Sequence, residues 1–290
     1  MNQNINISFH CNEDTTFKRQ DQCVRAFSYV DYSIEPHIHD FYEMNIILGG
    51  IGIHQIESSS WAVRRGDVFV IPPKTVHAYS QTENLEVYHI LLRNDFVQKN
   101  QSESKTIPGY FQFMEIEPFI RQNGTETMFL HLNEAQLSEI RHDIKYIEED
   151  GAFDKEIFHA LHSHTAWKII CYLAHLLQEQ ICDEKRPTAK YTKLILTALE
   201  YMHNHFSEKI SIDDLSKRVY LSRSTFLRNF QTVCGCSPGQ YLNRYRIKKA
   251  AELLETSSLS QTEIAQFCGF YDLSHMKKSL KNANILVSSL

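Results

Sequence analysis

Over residues 21–93 the apolar positions come in short runs that break on glycine and proline. Met44-Asn-Ile-Ile-Leu48 stops at Gly49-Gly50, and Ile51, Ile53 and Ile56 follow in extended context. Trp61-Ala-Val63 meets the turn signal Arg64-Arg-Gly-Asp67, Val68-Phe-Val-Ile71 runs into Pro72-Pro73, and residues 86–92 close the set. Short strands at this spacing predict an all-β sandwich or barrel. Between 94 and 130 the pattern weakens. Ile107-Pro-Gly109 and Asn123-Gly124 read as loops around a short helix. The period then becomes helical. One helix begins near Asn133, a good N-cap, with Leu137, Ile140, Ile144 and Ile147 on one face. A second runs over 154–182 with an apolar stripe of Trp167, Ile170, Cys171, Ala174 and Leu177. That stripe is either core or a seam between two copies of the chain. The seam is favoured, with the helix near 133–150 beside it. Residues 183–188, charged and containing a proline, read as a linker.

The last hundred residues are helical and contain a repeat. Ser224-Thr-Phe-Leu-Arg-Asn-Phe230 aligns with Ser274-His-Met-Lys-Lys-Ser-Leu280 fifty residues later, and both place large apolar residues at i and i+4. Ahead of them, Ser211-Ile-Asp-Asp-Leu215 matches Ser260-Gln-Thr-Glu-Ile264, each opening on a capping serine, with Glu263 completing a capping box. Each half is therefore a helix, a tight turn and a second helix capped by Ser222 or Asp272. Ser237-Pro238 starts the helix between the halves.

Charge sharpens this division. The net charge of −5 at pH 7 splits into −11 over residues 1–187 and +6 over 188–290. A basic end joined to an acidic remainder points to a polyanion at that end alone. The seven cysteines (11, 23, 171, 182, 234, 236, 268) are odd in number and scattered, which fits reduced thiols in a cytosol. No apolar run is long enough to span a bilayer, and the N-terminus has no secretory pattern. A cytoplasmic chain without membrane attachment is expected.

Residues Leu215-Ser-Lys-Arg-Val-Tyr-Leu-Ser-Arg-Ser-Thr-Phe-Leu-Arg-Asn-Phe230, with Gly235-Cys-Ser-Pro-Gly-Gln-Tyr241, Arg246-Ile-Lys-Lys-Ala250, Leu253-Leu254 and Ile264-Ala265…Gly269-Phe270, closely resemble the DNA-binding domain of the AraC/XylS family of transcription regulators. Pro36-His-Ile-His-Asp-Phe-Tyr-Glu43 and Gly66-Asp-Val-Phe-Val-Ile-Pro72 resemble the family's cupin sensor domain. The resemblance implies an α+β architecture. A cupin-like β-barrel or jelly roll (1–130) would bind an effector, a helical segment (131–187) would dimerise, and an all-α domain with two helix-turn-helix units (188–290) would read DNA. With Phe226 and Phe230 inward, Arg223, Ser224, Thr225, Leu227 and Arg228 stay outward. By similarity Ser224, Thr225, Leu227 and Arg228 reach bases, Arg228 suiting a bidentate contact to guanine. On the second helix the corresponding positions are Leu273, Ser274, His275 and Lys278. Lys217, Arg218, Lys248, Lys249, Lys277 and Lys281 would attract phosphates. The resemblance implies double-stranded DNA and a small-molecule effector as partners, a homodimer, and room for RNA polymerase as a further contact. One departure stands out. The family usually continues past the second recognition helix through a glycine and a Ser-Pro step, whereas here the chain runs Lys281-Asn-Ala-Asn-Ile-Leu-Val-Ser-Ser-Leu290. Weaker support for the second unit is expected.

His37, His39 and Glu43 share odd parity, so on one extended strand all three side chains face the same way. With His77 they resemble the His-x-His-x3-Glu…His set by which metal cupins hold iron, manganese, nickel or zinc. Lys74 stands where those cupins usually have glycine, bringing a cation near the set. The four residues are candidates for effector binding first, for a divalent transition metal second, and for structural satisfaction third, with no cofactor required. His159 and His162 read as partly exposed interface residues, and His203 and His205 as imidazolium near a helix end. The leading function is an effector-controlled transcription regulator, with the effector a carbohydrate in one version. The rivals are a metal-cupin enzyme acting on a small carbohydrate or acid, and a regulator whose altered end impairs DNA binding.

Overall fold

The computed structural model describes residues 7–17, 22–104, 106–122, 129–148, 155–183 and 189–283. They form two compact units, Met1–Asp183 and Glu184–Leu290. Most of the expected linker, the loop at Asn123-Gly124 and the chain end beyond 283 lie outside the described residues.

The first unit opens with β1 (Phe9–Cys11), α1 (Glu13–Thr16), β2 (Val24–Tyr29), β3 (Ile34–His39), β4 (Tyr42–Ile56), β5 (Ser59–Arg64), β6 (Asp67–Ile71) and β7 (His77–Leu92). Short helices α2 (Asn94–Lys99) and α3 (Gln101–Ser104) follow, then a π-helical stretch (Gln112–Ile116), α4 (Glu117–Arg121), β8 (Leu130–His131) and the long helices α5 (Glu134–Glu148) and α6 (Lys155–Cys182). The strands form one cupin-like sheet in the order β1-β3-β7-β4-β6-β8, with β2 also on β7 and β5 also on β4. The glycine pair does not end a strand as the sequence suggested. β4 runs through Gly49-Gly50 and shifts register against β7 there. Gly50 absorbs the irregularity at φ +71°, where a Cβ would lie 2.1 Å from the Asn84 carbonyl oxygen.

Asn133 caps α5 by accepting from the Gln136 amide (3.0 Å), while the Gln136 side chain accepts from the Asn133 amide (2.9 Å). Leu137, Ile140, Ile144 and Ile147 are all buried. The α6 stripe is core, not the seam expected. Ile170, Ala174 and Leu177 are buried within one chain, and Trp167 packs against Phe96 and Tyr110, with ring centroids 6.5 and 5.5 Å away. The covering layer comes from α2 and the loop before the π-helix, in the region whose period is least clear. His162 is buried as well.

The second unit comprises α7 (Ala189–Asn204), α8 (Ile212–Arg218), α9 (Arg223–Cys234), α10 (Pro238–Thr256), α11 (Gln261–Phe267) and α12 (Leu273–Asn282). Ser211, Ser222, Ser260 and Asp272 each cap the helix assigned to them, and Ser237 with Gln240 forms a further capping box on α10. Phe226, Phe230, Met276 and Leu280 are fully buried. His203 is not an imidazolium. It is buried, its Nε2 is 2.8 Å from the Tyr241 hydroxyl, and its ring stacks on Tyr245 at 3.8 Å. Desolvation, then Lys248 and Lys249, hold its pKa well below the usual 6.5.

The two tight turns are built alike, with Leu221 N–H donating to Ser216 O and Phe270 N–H to Ala265 O, each at 2.9 Å. Both need one residue with positive φ. The later turn uses Gly269 (+73°) and the earlier one uses Tyr220 (+55°), whose side chain is 94% exposed. Left-handed backbone costs an L-residue about 1–2 kcal/mol, partly offset here because glycine loses more entropy on folding. Tyr220→Gly is therefore expected to stabilise the second unit by about 0.5–1 kcal/mol. Gly269→Ala, whose Cβ would sit 2.6 Å from the Ser207 carbonyl oxygen, is expected to destabilise it by about 1–3 kcal/mol. Urea unfolding of both variants checks the opposite signs. His203 adds a pH dependence. It stays neutral when folded and takes a proton below about pH 6.5 when unfolded, so the unfolded chain binds more protons as pH falls. Hydrogen-exchange protection of core amides in 189–283 is expected to weaken from pH 7 towards pH 5, by at most about 1.4 kcal/mol per pH unit, and less steeply in His203→Phe.

Candidate functional site

The first unit holds a buried polar cluster. His37, His39, Glu43 and His77 are each 5% exposed or less, and the cluster extends to His54 and His89. His37, His39 and Glu43 do not share one strand as their odd parity suggests, because the backbone bends at Asp40-Phe41. His37 and His39 belong to β3 and Glu43 to β4. They converge because both strands flank β7, where His37 is the register partner of His77.

Each of the three motif histidines has its Nδ1 against a backbone carbonyl: His37 on Glu35 O (3.0 Å), His39 on Phe41 O (2.6 Å) and His77 on Thr75 O (3.2 Å). A carbonyl only accepts, so these Nδ1 atoms carry hydrogen, and a neutral ring then presents a bare lone pair at Nε2. Glu43 Oε2 lies 3.2 Å from His39 Nε2 and 3.6 Å from His77 Nε2, and its Oε1 accepts from His89 Nδ1 at 2.8 Å. Burial pushes the Glu43 carboxyl up, and hydrogen bonds from His39, His77 and His89 outweigh it, holding it well below the usual carboxylate range. For His39 and His77 this requires a proton on Nε2, which an ion bound at that nitrogen would replace. Desolvation and the neighbouring His77 bring His37 down to about 4, so it is neutral at pH 7.

One donor atom each from His37, Glu43 and His77 lies within 4.8 Å of the others. His39 Nε2 and His77 Nε2 are buried with no hydrogen-bond partner. Imidazole nitrogens fixed through the opposite ring N–H, with one carboxylate among them, suit a divalent transition ion. Lys74 does not intrude. Its Nζ is 2.8 Å from Asp40 Oδ1 and its side chain is about half exposed, so the cation expected near the set is held at the surface.

Sequence reasoning missed His54, His89, Asn45 and Arg121. His54 stacks on Tyr79 (4.2 Å, 2° between planes), the Tyr79 hydroxyl accepts from Asn45 Nδ2 (3.2 Å), and Arg121 lies over Phe69 while paired with Glu117. The available signal was a histidine inside an otherwise apolar strand, as in Val87-Tyr-His-Ile-Leu-Leu92.

In the second unit, Ser224, Arg228, Ser274, His275 and Lys278 are exposed. Arg228, Lys277 and Lys278 have no ion-pair partner among the described residues. Other candidates are engaged. Arg223 pairs with Asp213 at 2.6 Å, and the Thr225 hydroxyl accepts from Ser222 Oγ within the cap. Leu227 is half-buried, and Leu273 packs partly on the core formed with Met276 and Leu280. Among the phosphate candidates, Lys248 and Lys249 both pair with Glu252, and the Arg218 guanidinium lies 3.7 Å over the Tyr201 ring. The two recognition helices otherwise present matching faces.

The family described as AraC-like ligand binding domain matches residues 19–162, and the helix-turn-helix domain family matches 215–283. The chain belongs to the AraC/XylS family of transcription regulators. It is 29% identical to the HTH-type transcriptional activator RhaS of Escherichia coli O81 (strain ED1a) over 247 residues, which is 82% of this chain and 80% of that protein. Among solved structures, the DNA-binding domain of AdpA, the global transcriptional factor, in complex with a target DNA, is 32% identical and covers 30% of this chain and 79% of its own (TM-score 0.30). ToxT from Vibrio cholerae is 14% identical over 92% of this chain and 97% of its own (TM-score 0.37). As a member of the AraC/XylS family the protein is a DNA-binding regulator with an effector domain, not the cupin enzyme that the histidines alone also allowed. Among the described residues no helix is long and apolar enough to cross a membrane.

Arg228→Ala is expected to cost about 1–3 kcal/mol at a specific site and to relax preference there, whereas Lys277→Ala weakens binding across all sequences and lowers the salt slope by about 1. Fluorescence-anisotropy titrations against target and scrambled duplexes at several salt concentrations distinguish the two effects.

Proposed function

We propose that the sensor domain of this regulator is organised around a divalent transition metal held by His37, His39, Glu43 and His77, and that the state of this site sets the DNA affinity of α9 and α12. The observation that carries the reading is the common orientation of three imidazoles, each with Nδ1 against a backbone carbonyl and Nε2 in the buried cluster with Glu43. When bound, such an ion supplies a fixed positive charge among β3, β4 and β7. The chain's own residues do the rest. The carbonyls of Glu35, Phe41 and Thr75 hold the ring tautomer, and Glu43 supplies the compensating anion. Regulation requires that the occupied and unoccupied domains differ in free energy between DNA-competent and incompetent arrangements.

A second reading has support of its own. Phe9, 40% exposed, stacks on His37 at 4.7 Å, and Tyr29, 53% exposed, lies beside His89. An aromatic rim next to placed polar groups suits a small polar effector, such as a carbohydrate. Further parts of the reading are homodimeric binding to repeated half-sites in the cytoplasm and contact with RNA polymerase. Activation of the target genes is supported by the likeness to RhaS, an HTH-type transcriptional activator.

The full chain purified without chelator is expected to carry about one equivalent of a first-row transition metal by elemental analysis, and the His37→Ala/His39→Ala double variant almost none. Removing the metal is expected to change the affinity for DNA fragments that the protein selects from genomic DNA. Equal, substoichiometric metal in parent and variant leaves the small-effector reading in possession of the site.

A further inference from the structure

Glu43 divides its two oxygens. Oε2 faces the Nε2 atoms of His39 and His77, while Oε1 accepts from His89 Nδ1 at 2.8 Å. We infer that His89 is a positioning residue for the metal centre: its Nδ1–H holds Glu43 Oε1 so that Oε2 alone is turned to the ligand histidines. This rests on the metal reading above and goes beyond the four-residue motif, because His89 lies twelve residues past His77 and in no part of that motif.

The geometry separates His89 from the ligands. Like His39 it is outside the group of His37, Glu43 and His77 whose donor atoms close to within 4.8 Å, and it differs from His39 in what its Nδ1 meets. Its Nδ1 meets a buried carboxylate, where those of His37, His39 and His77 meet backbone carbonyls. A carboxylate oxygen accepts, so this Nδ1 carries the hydrogen. The ring is also held tightly. It stacks on Phe27 (5.1 Å, 26°), meets Tyr32 edge-on at 4.7 Å, and its backbone pairs with Asn45 on β4 and Phe27 on β2. A carboxylate with one oxygen tied this way is presented through its other oxygen, and ligand orientation by such an outer partner typically changes metal affinity about 10–100-fold.

The test uses the full chain, stripped of metal and titrated with Co2+, with both the binding isotherm and the visible d–d absorption recorded. His89→Phe keeps a ring among Phe27, Tyr29 and Tyr32 but has no donor. His89→Asn has no ring but places an amide N–H close to where Nδ1 was. The phenylalanine variant is expected to bind Co2+ about 10–100-fold more weakly, with an altered d–d band as the carboxylate changes its mode of contact. The asparagine variant is expected to recover affinity to within about threefold of the parent, with a parent-like band. Parent-like affinity and band in His89→Phe overturn the inference, as does His89→Asn behaving like His89→Phe, which would assign the loss to packing. Should His89→Phe not fold, His89→Leu is read in its place against the same asparagine control. A parent chain that takes up no Co2+ overturns the metal reading itself, an outcome distinct from a parent that binds and a His89 variant that binds equally.

Discussion

A carboxylate without water is the constraint around which the first unit is arranged. Glu43 is 5% exposed, and an unpaired buried anion would cost several kcal/mol or take up a proton. Here His39, His77 and His89 surround it from two strands and keep it ionised. That arrangement draws on β3, β4 and β7, with β7 paired to both of the other strands. The backbone carbonyls that take the Nδ1 protons of His37, His39 and His77 then decide what the cluster can do. They leave the Nε2 atoms of these rings to the buried cluster with Glu43, while Lys74 is paired with Asp40 at the surface.

The second unit relies on a different device, local hydrogen bonding repeated twice. Serine and aspartate caps start each helix at a defined residue, and that in turn sets which positions face inward. Once Phe226 and Phe230, or Met276 and Leu280, are committed to the core, Arg228 in the first helix and Lys277 and Lys278 in the second reach solvent. The halves differ in their turns. Gly269 takes the left-handed conformation freely, while Tyr220 adopts it with an exposed aromatic side chain and at a cost in backbone strain. Several outward groups of the first half are tied to neighbours, Arg223 to Asp213 and both Ser224 and Thr225 to Ser222, which leaves Arg228 outward with no ion-pair partner among the described residues.

The family placement and the site chemistry bear on each other. Buried histidines with a carboxylate, on a cupin-like sheet, are compatible with catalysis, binding or structure. The matching helix-turn-helix region assigns the whole chain to regulation, and the cluster is then read as a sensor. Fold similarity alone would not have made that choice, because one fold serves many functions.

Some of this was legible in the order of residues. The repeat, the caps and the i, i+4 apolar pairs are local features, resting on hydrogen bonds and faces within a few residues, and each reappears in the structure where the spacing put it. The motif His37, His39, Glu43 and His77 was legible too, though for a mistaken reason, since a bend at Asp40-Phe41 and not one strand's parity brings its members together. What could not be read depended on partners distant along the chain. The α6 stripe looked like a seam because the segment that covers it, around Phe96 and Tyr110, has no clear periodicity. His89 looked like an incidental polar residue in an apolar strand until β7 laid it against Glu43, 46 residues earlier. Local chemistry settles helix ends and faces, whereas which buried charge meets which partner is set when strands pair, and pairing couples residues that sequence spacing leaves independent.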